Sequence, residues 1–445
     1  MDIPRTLFIE NAPLLTDIEK NLIDTIYAIK QQHIFAPSID DRLGAPRLLA
    51  TLDWLQQVDT FFSGMGGIRG MQKAIEELQH QVFDEVVSSE FFNPYYLSPS
   101  TNVDKNLLEH HKDVVEVIVL GGAAQRLNFF DPSTHEPLPA FLYPFLGKPL
   151  LEWFFLDIQA NERLFFDVFQ ESITIPIVLM SSSCKNNKKH LVDFLEKHNY
   201  FGRTKESILV LEQPLVPCVD KNGDWLLDKG FAIEKNPCGH GAIWNLLRQS
   251  DEFRSKFKHK RHILIRQINN PILCFFSSSI AFVYAHASNH KKFSILVTDP
   301  KENTKEGKII KTPKGYTNLE YTVSSNQNPF GYANVNAIVC DMATLLYSLS
   351  QDVYPGLLLN FKDGQKARLE MSMQNLIEYF EDPLICHLPR DYAISAIKKG
   401  GEGLETAHQA SLDLFAILKK HMLTDENNHD ILSIIPYQTK RVNVE

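Results

Sequence analysis

The sequence lacks the close Cys-x-x-Cys pairing of a zinc or dithiol site. Its six cysteines, Cys184, Cys218, Cys238, Cys274, Cys340 and Cys386, are scattered, which fits a reducing compartment. No apolar run approaches the roughly 20 residues that cross a bilayer. Residues 1–14 have neither a basic start nor an apolar signal core, so a cytoplasmic protein without a membrane partner is expected. Positive charge is not in excess either: 45 Lys and Arg stand against 54 Asp and Glu, a formal net charge of -9. Such a chain exerts no general attraction on nucleic acid or anionic lipid, and any phosphate must be held by local groups. The absence of internal repeats and low-complexity tracts argues against solenoids and long disordered tails.

What is present is bulk. At 445 residues and 44% hydrophobic content, the chain exceeds one ordinary core, and two or three domains are expected. From Thr16 the pattern is helical, with a Thr16/Glu19 capping box and apolar Ile18, Leu22, Ile23, Ile26 and Ile29 at helix spacing. Further helical patterns at Leu48–Phe62 and Met71–Val87 are separated by Gly64, Gly66, Gly67 and Gly70, which break the run. The texture changes at Val114, where a β-branched run to Leu120 has the character of a buried parallel strand. Strand-like runs recur at 175–180, 208–211, 262–265, 293–297 and 337–340, with helical patterns at 150–159, 188–198 and 241–249 between several of them. Such alternation argues for an open α/β sheet binding ligands at the carboxyl ends of its strands. After Asp382 the strands are expected to stop, leaving a helical tail from Tyr392 to about Leu423. The expected divisions are an N-terminal helical domain over 1–112, a catalytic core over 113–385 and a helical C-terminal segment over 386–445.

The first strand runs into Gly121-Gly122-Ala123-Ala124-Gln125-Arg126-Leu127. Small residues at a strand exit let backbone N–H groups close around phosphate oxygens, and Arg126 offers a charged fork to the same anion. The alternative is a plain tight exit from the strand. The later glycines of a dinucleotide-binding loop, and the Gly-Lys-Ser/Thr of a P-loop, are missing.

With the Pro-rich passage 138–146 and Gly147-Lys148-Pro149-Leu150-Leu151-Glu152, this loop resembles the sugar-1-phosphate nucleotidyltransferases, and most of all the UDP-sugar pyrophosphorylases of the plastid UDP-glucose type. Ordered stretches that carry the resemblance include Asn93-Pro94-Tyr95-Tyr96, Glu212-Gln213-Pro214, Gly239-His240-Gly241, Arg266-Gln267-Ile268-Asn269-Asn270, Leu319-Glu320-Tyr321 and Arg368-Leu369-Glu370-Met371-Ser372-Met373-Gln374-Asn375.

The resemblance implies a Rossmann-like, GT-A-like mixed-sheet core. It also implies transfer of a uridylyl group from UTP to a sugar 1-phosphate, with Mg2+ as cofactor. Gly121, Gly122, Ala123, Ala124, Gln213, Gly239 and His240 would bind nucleotide, Gln213 near the uracil. Arg126 and Lys305 would act on the phosphates, Glu320, Asn334 and Asn336 would meet sugar hydroxyls, and Asn269 would stand at the metal. Gly-His-Gly favours glucose, since N-acetylhexosamine enzymes usually place asparagine after the first glycine. His240 also fits a cap on the following helix, Gln213 a loop amide, Lys305 a solvated surface lysine, and the sugar-facing residues strand-edge polar groups.

The sequence departs from the family pattern at Ala124, where a second glycine is usual, at Ala140, where many relatives carry lysine, and at Asn269, where most carry aspartate. Asp299 and Asp341 are carboxylates that could stand in for the last. The short run after the tail implies that the C-terminal β-helix-like domain of many relatives is missing, and a monomer or small homo-oligomer is expected. The departures leave open a catalytically weak nucleotide-sugar binding protein. The sugar itself leaves open another hexose 1-phosphate such as N-acetylglucosamine 1-phosphate.

Overall fold

The computed structural model describes residues 15–38, 44–80, 89–98, 102–120, 125–302, 304, 306–320, 331–349, 352–361, 365–420, 436 and 440–443. The chain forms two compact units. One gathers 1–83, 213–245 and 350–373; the other gathers 84–212, 246–349 and 374–445.

In the first unit the N-terminal periodicity becomes the helices Asp17–Ala28, Gly44–Phe61 and Gly67–Gln79. The capping box forms: the Glu19 amide donates to Thr16 Oγ1 at 3.3 Å, and the Thr16 amide donates to the Glu19 carboxylate at 2.6 Å. The glycine cluster is needed sterically, because a Cβ at Gly70 would stand 1.8 Å from the Met65 carbonyl oxygen. The unit also holds a four-stranded antiparallel sheet ordered 358–359, 367–370, 215–219, 235–237. Helices and sheet are joined through buried Trp225, whose indole donates to Gln72 Oε1 at 2.9 Å and whose amide donates to Gln31 Oε1 at 2.8 Å. Two buried glutamine side chains thus satisfy one tryptophan that packs edge-on against Trp54.

The second unit is built on a ten-stranded mixed sheet. Its strands are β1 Tyr95–Tyr96, β2 Val114–Val119, β3 Ile177–Ser182, β4 Ile208–Gln213, β5 His262–Gln267, β6 Phe293–Thr298, β7 Lys308–Thr312, β8 Gly315–Leu319, β9 Tyr332–Asp341 and β10 Leu384–His387. The spatial order is β1-β10-β6-β9-β5-β2-β3-β4, with β7 pairing β8 and β9. β5, β2 and β3 run parallel, as do β6, β10 and β1; β9 is antiparallel to both its neighbours, β5 and β6. The order therefore reverses in sense around β9 while the carboxyl ends of β2, β5 and β6 share one edge. The helix Leu150–Phe169, far longer than the pattern read at 150–159, lays its apolar side on this sheet.

One expectation fails. Strands do not stop after Asp382: β10 extends the main sheet, and Arg441–Asn443 pairs in parallel with Asn102–Asp104. The tail is also less helical than its composition suggested: among the described residues up to 420, helix forms at Arg390–Ala393 and Ala407–Lys420 with irregular backbone between.

The core of this unit contains a charge cluster. Arg266 on β5 donates to Glu116 on neighbouring β2 and to Asp157 on the long helix, each at 2.5 Å. Lys440 adds a second cation, bonded to Asp157 and, at 2.9 Å, to Asn161. All are essentially buried, and burial pushes the Glu116 carboxyl up to about 7 against the opposing pull of Arg266. Glu116 and Arg266 sit mid-sheet as structural charges.

Candidate functional site

Parallel strands direct their backbone termini, and the loops that follow, to one edge, where ligands of open α/β sheets bind. At this edge β2 ends at Val119, and residues Gly121, Gly122, Ala123 and Ala124 lie outside the described residues. Arg126 follows in the 3-10 turn Gln125–Leu127 with its side chain exposed. β5 ends beside β2, Gln267 being the register partner of Val119, and leads to Asn269 and Asn270.

Asn270 is a buried clamp. Its side-chain amide donates to the Ala393 carbonyl at 2.8 Å and accepts from the Ser395 amide at 3.2 Å, while the Asn269 carbonyl accepts from the Ile397 amide at 2.8 Å. The clamped backbone continues into Lys398-Lys399-Gly400, and the Gly400 amide donates to the Arg126 carbonyl at 3.2 Å. A Cβ at Gly400 would stand 2.5 Å from the Leu127 carbonyl oxygen, so glycine permits this approach. Lys398 bonds Glu405 at 2.8 Å. Two lysines thus adjoin the segment that carries Arg126. Neither was singled out from sequence, because 392–423 read as one helix; Gly400, Gly401 and Gly403 were the available signal against that reading.

Asn269 Oδ1 is buried with no hydrogen-bond partner among the described residues. Among those residues no group of three or more His, Cys, Asp or Glu could hold a metal ion. Asp341 pairs in register with His262, at the amino end of β5, so it stands at the wrong edge to replace an aspartate at position 269. Asp299 follows β6 at the right edge but faces His387, Oδ1 to Nε2 3.2 Å. Lys305 lies outside the described residues; its neighbour Glu306 is tied to Arg390 at 2.5 Å.

The sugar-facing candidates meet in one amide network. The Asn334 side chain donates to Asn318 Oδ1 at 3.3 Å, and Asn318 donates to Glu320 Oε1 at 2.8 Å. Asn334 Oδ1 accepts from the Asn336 amide at 2.8 Å. Residues of the 368–375 stretch to which the sequence assigned no site role, together with their neighbours, complete the network: Gln374 donates to Asn336 Oδ1 at 2.5 Å, and Asn375 donates to Glu378 at 2.6 Å and to the Asn318 carbonyl at 3.1 Å. Glu320, Asn334 and Asn336 are therefore together at the end of β8 and in the first half of β9, beside the carboxyl end of β5.

The remaining candidates belong to the first unit. Gln213, the last residue of β4, is 2% exposed, and its Oε1 has no partner among the described residues. Gly239 has φ +95°, and a Cβ there would lie 2.6 Å from the Met371 carbonyl oxygen; one at Gly241 would lie 2.7 Å from Met371 Cβ. Both glycines are thus required by the strand edge at Met371, independently of any ligand. Between them, His240 Nδ1 accepts the Met373 amide proton at 2.9 Å. In the neutral ring that bond places the remaining proton on Nε2, making this nitrogen a donor.

A family model described as UTP--glucose-1-phosphate uridylyltransferase matches residues 152–429. The chain belongs to that family. UTP--glucose-1-phosphate uridylyltransferase 3, chloroplastic, of Arabidopsis thaliana is 28% identical over 397 residues, covering 76% of this chain and 45% of the relative. UDP-N-acetylglucosamine diphosphorylase 2 of the same plant is 26% identical over 141 residues, 30% of this chain and 26% of the relative. The chain thus spans less than half the length of these curated relatives. Among solved structures, the uridine diphosphate N-acetylglucosamine pyrophosphorylase of Trypanosoma brucei superposes with TM-score 0.70 at 15% identity, covering 92% of this chain and 87% of that one. A UDP-glucose pyrophosphorylase of Leishmania major, solved with UDP-glucose, gives TM-score 0.60 at 15% identity, with 80% and 77% covered. These likenesses establish a nucleotidyltransferase-type mixed α/β fold for this member of the uridylyltransferase family. No described helix is long and apolar enough to cross a membrane.

Proposed function

We propose that the chain joins UTP and glucose 1-phosphate to give UDP-glucose and pyrophosphate. The observation that carries this reading is the placement, in a member of this family, of Arg126, the Lys398-Lys399 segment and the Glu320/Asn334/Asn336 network along one carboxyl edge of the sheet. Cations beside an array of directional amides suit a substrate with phosphates at one end and hydroxyls at the other. Gly-His-Gly at 239–241 supports glucose over an N-acetylhexosamine. Six free thiols fit a cytoplasmic location.

The reaction is an in-line displacement. A phosphate oxygen of the sugar forms a bond to the α-phosphorus of UTP, and the bond from that phosphorus to the bridging oxygen breaks with release of pyrophosphate. No covalent intermediate is needed, so orientation and neutralisation of charge carry the rate. Arg126 holds the departing pyrophosphate, with Lys305 as a further phosphate contact. Gln213 Oε1 accepts a hydrogen bond from the uracil N–H, and His240 Nε2 donates one to uridine. Gly121, Gly122, Ala123 and Ala124 supply backbone N–H groups to the phosphates. Asn269 Oδ1, buried without a partner among the described residues, would offer a magnesium ion one neutral oxygen ligand. Magnesium, when bound, offsets charge on the leaving group.

The test combines the purified chain, UTP, glucose 1-phosphate and magnesium, with pyrophosphate release as readout. Turnover is expected, falling by about 100-fold or more in Arg126→Ala. No release from glucose, galactose, N-acetylglucosamine or glucuronic acid 1-phosphate would sink the proposal. The neutral ligand at Asn269 favours a second reading, a nucleotide-sugar binding protein. Its signature is calorimetric binding of UDP-glucose without turnover.

A further inference from the structure

We propose that Gln374 is a positioning residue for the hexose: it fixes which end of the Asn336 carboxamide faces the ligand. The inference rests on the uridylyltransferase reading above and concerns a side chain that does not itself touch substrate.

The backbone is unusual at Asn336. Within the ten-residue strand β9, this residue adopts φ +62°, a left-handed conformation that costs most side chains roughly 1–2 kcal/mol and that asparagine tolerates best. The ladder to β6 shifts there: Ile295 faces Ile338, but Val297 faces Asn334. Residues 335–337 therefore bulge opposite Leu296 alone, which aims position 336 out of the ordinary alternation. The displaced Asn336 amide is satisfied by Asn334 Oδ1 at 2.8 Å. A bulge held by its own neighbour's side chain is a built feature of the strand.

The Asn336 side chain could present either its oxygen or its amino group, since the two ends have the same shape. Gln374 Nε2 decides the matter by donating to Asn336 Oδ1 at 2.5 Å. With the oxygen engaged, Nδ2 is the end left for a ligand, and no bond from it is made among the described residues. Gln374 is only 1% exposed and sits at the start of the 3-10 turn Met373–Tyr379. Asn375 anchors the turn through Glu378 and the Asn318 carbonyl. The hexose then meets a donor at Asn336 and a pure acceptor at the Glu320 carboxylate, so the site reads the direction of hydroxyl hydrogen bonds.

Gln374→Glu separates positioning from scaffolding. The carboxylate has the same length but can only accept, so the Asn336 amide turns over and gives Nδ2 to it. A hydrogen bond persists, and the donor is lost to the sugar. The full chain should fold with a lowered thermal midpoint, because a carboxylate replaces a neutral amide at a buried position, while KM for glucose 1-phosphate rises about 10-fold or more and KM for UTP stays within about 2-fold. An active wild type with an unaltered variant would overturn the role of Gln374 and leave the uridylyltransferase reading standing. Both KM values rising together would show a merely structural role, which also overturns it. A wild type inactive on every sugar 1-phosphate removes both readings. Should Gln374→Glu fail to fold, Gln374→Met frees the Asn336 amide to rotate and should raise the same KM; an unchanged value there is equally fatal.

Discussion

Gln213 allows a prediction in which stability and binding move in opposite directions. Its side chain is 2% exposed and its Oε1 has no partner among the described residues. A buried acceptor without a donor costs about 1–3 kcal/mol, a cost that uracil would remove by supplying its N–H. Gln213→Met keeps the length and nearly the volume of the side chain while deleting both polar atoms. The ligand-free protein should therefore gain up to about 1–3 kcal/mol, which at roughly 2–4 °C per kcal/mol raises the thermal midpoint by several degrees. UTP affinity should fall by about 10-fold to 100-fold, because the base N–H loses its acceptor. Scanning calorimetry without ligand and titration calorimetry with UTP measure the two terms separately. A lowered midpoint would mean that Oε1 was serving the fold. An unchanged UTP affinity would mean that it does not face the base.

Gly239→Ala should cost about 3 kcal/mol or more, since φ +95° is strained for any residue with a Cβ and that Cβ would lie 2.6 Å from the Met371 carbonyl oxygen. A chemical-denaturation midpoint equal to that of the wild type would contradict the packing described. Acid should destabilise the second unit through His111, His262 and His286, whose imidazoles burial pushes down to about 3, 4 and 3. Their folded values lie below the unfolded value near 6.5, so the unfolded chain binds more protons as pH falls below about 6.5, and stability present above that pH is lost. At pH 5 each would contribute a loss of about 2 kcal/mol. Urea unfolding followed at pH 7 and pH 5 should show the drop, and equal stabilities would refute the burial of these rings in neutral form.

The fold class was legible because buried parallel strands have a sequence signature: the strand-like runs read at 114–120, 208–211, 262–265 and 293–297 each emerged as a strand of the main sheet. β10 was missed for the same physical reason. Leu384-Ile385-Cys386-His387 is short and lies beyond the last conspicuous helix pattern, so only its pairing with β6 and β1 makes it a strand. The helix Leu150–Phe169 outran its pattern because Ala160, Leu164 and Phe165 keep one side of it buried beyond residue 159. The N-terminal cap at Thr16 was readable, since both partners lie within one turn.

Distance along the chain separates the candidate site's legible half from its hidden half. Asn334 and Asn336 could be picked because Tyr332-Ala333-Asn334-Val335-Asn336 resembles an asparagine-containing strand of the family. Gln374 and Asn375 stood in a stretch that carries the resemblance but could be given no role, because that role lies in the partners they meet 38 and 57 residues away. The Lys398-Lys399 segment was hidden for a related reason. Its position depends on Asn269 and Asn270 clamping 393–397, far away in sequence, while its local composition favoured a helix. Within the second unit, residues after β2 and β5 and in β9 can be placed at one edge by strand direction alone. The side chains that orient them come from segments whose only signal is long-range contact.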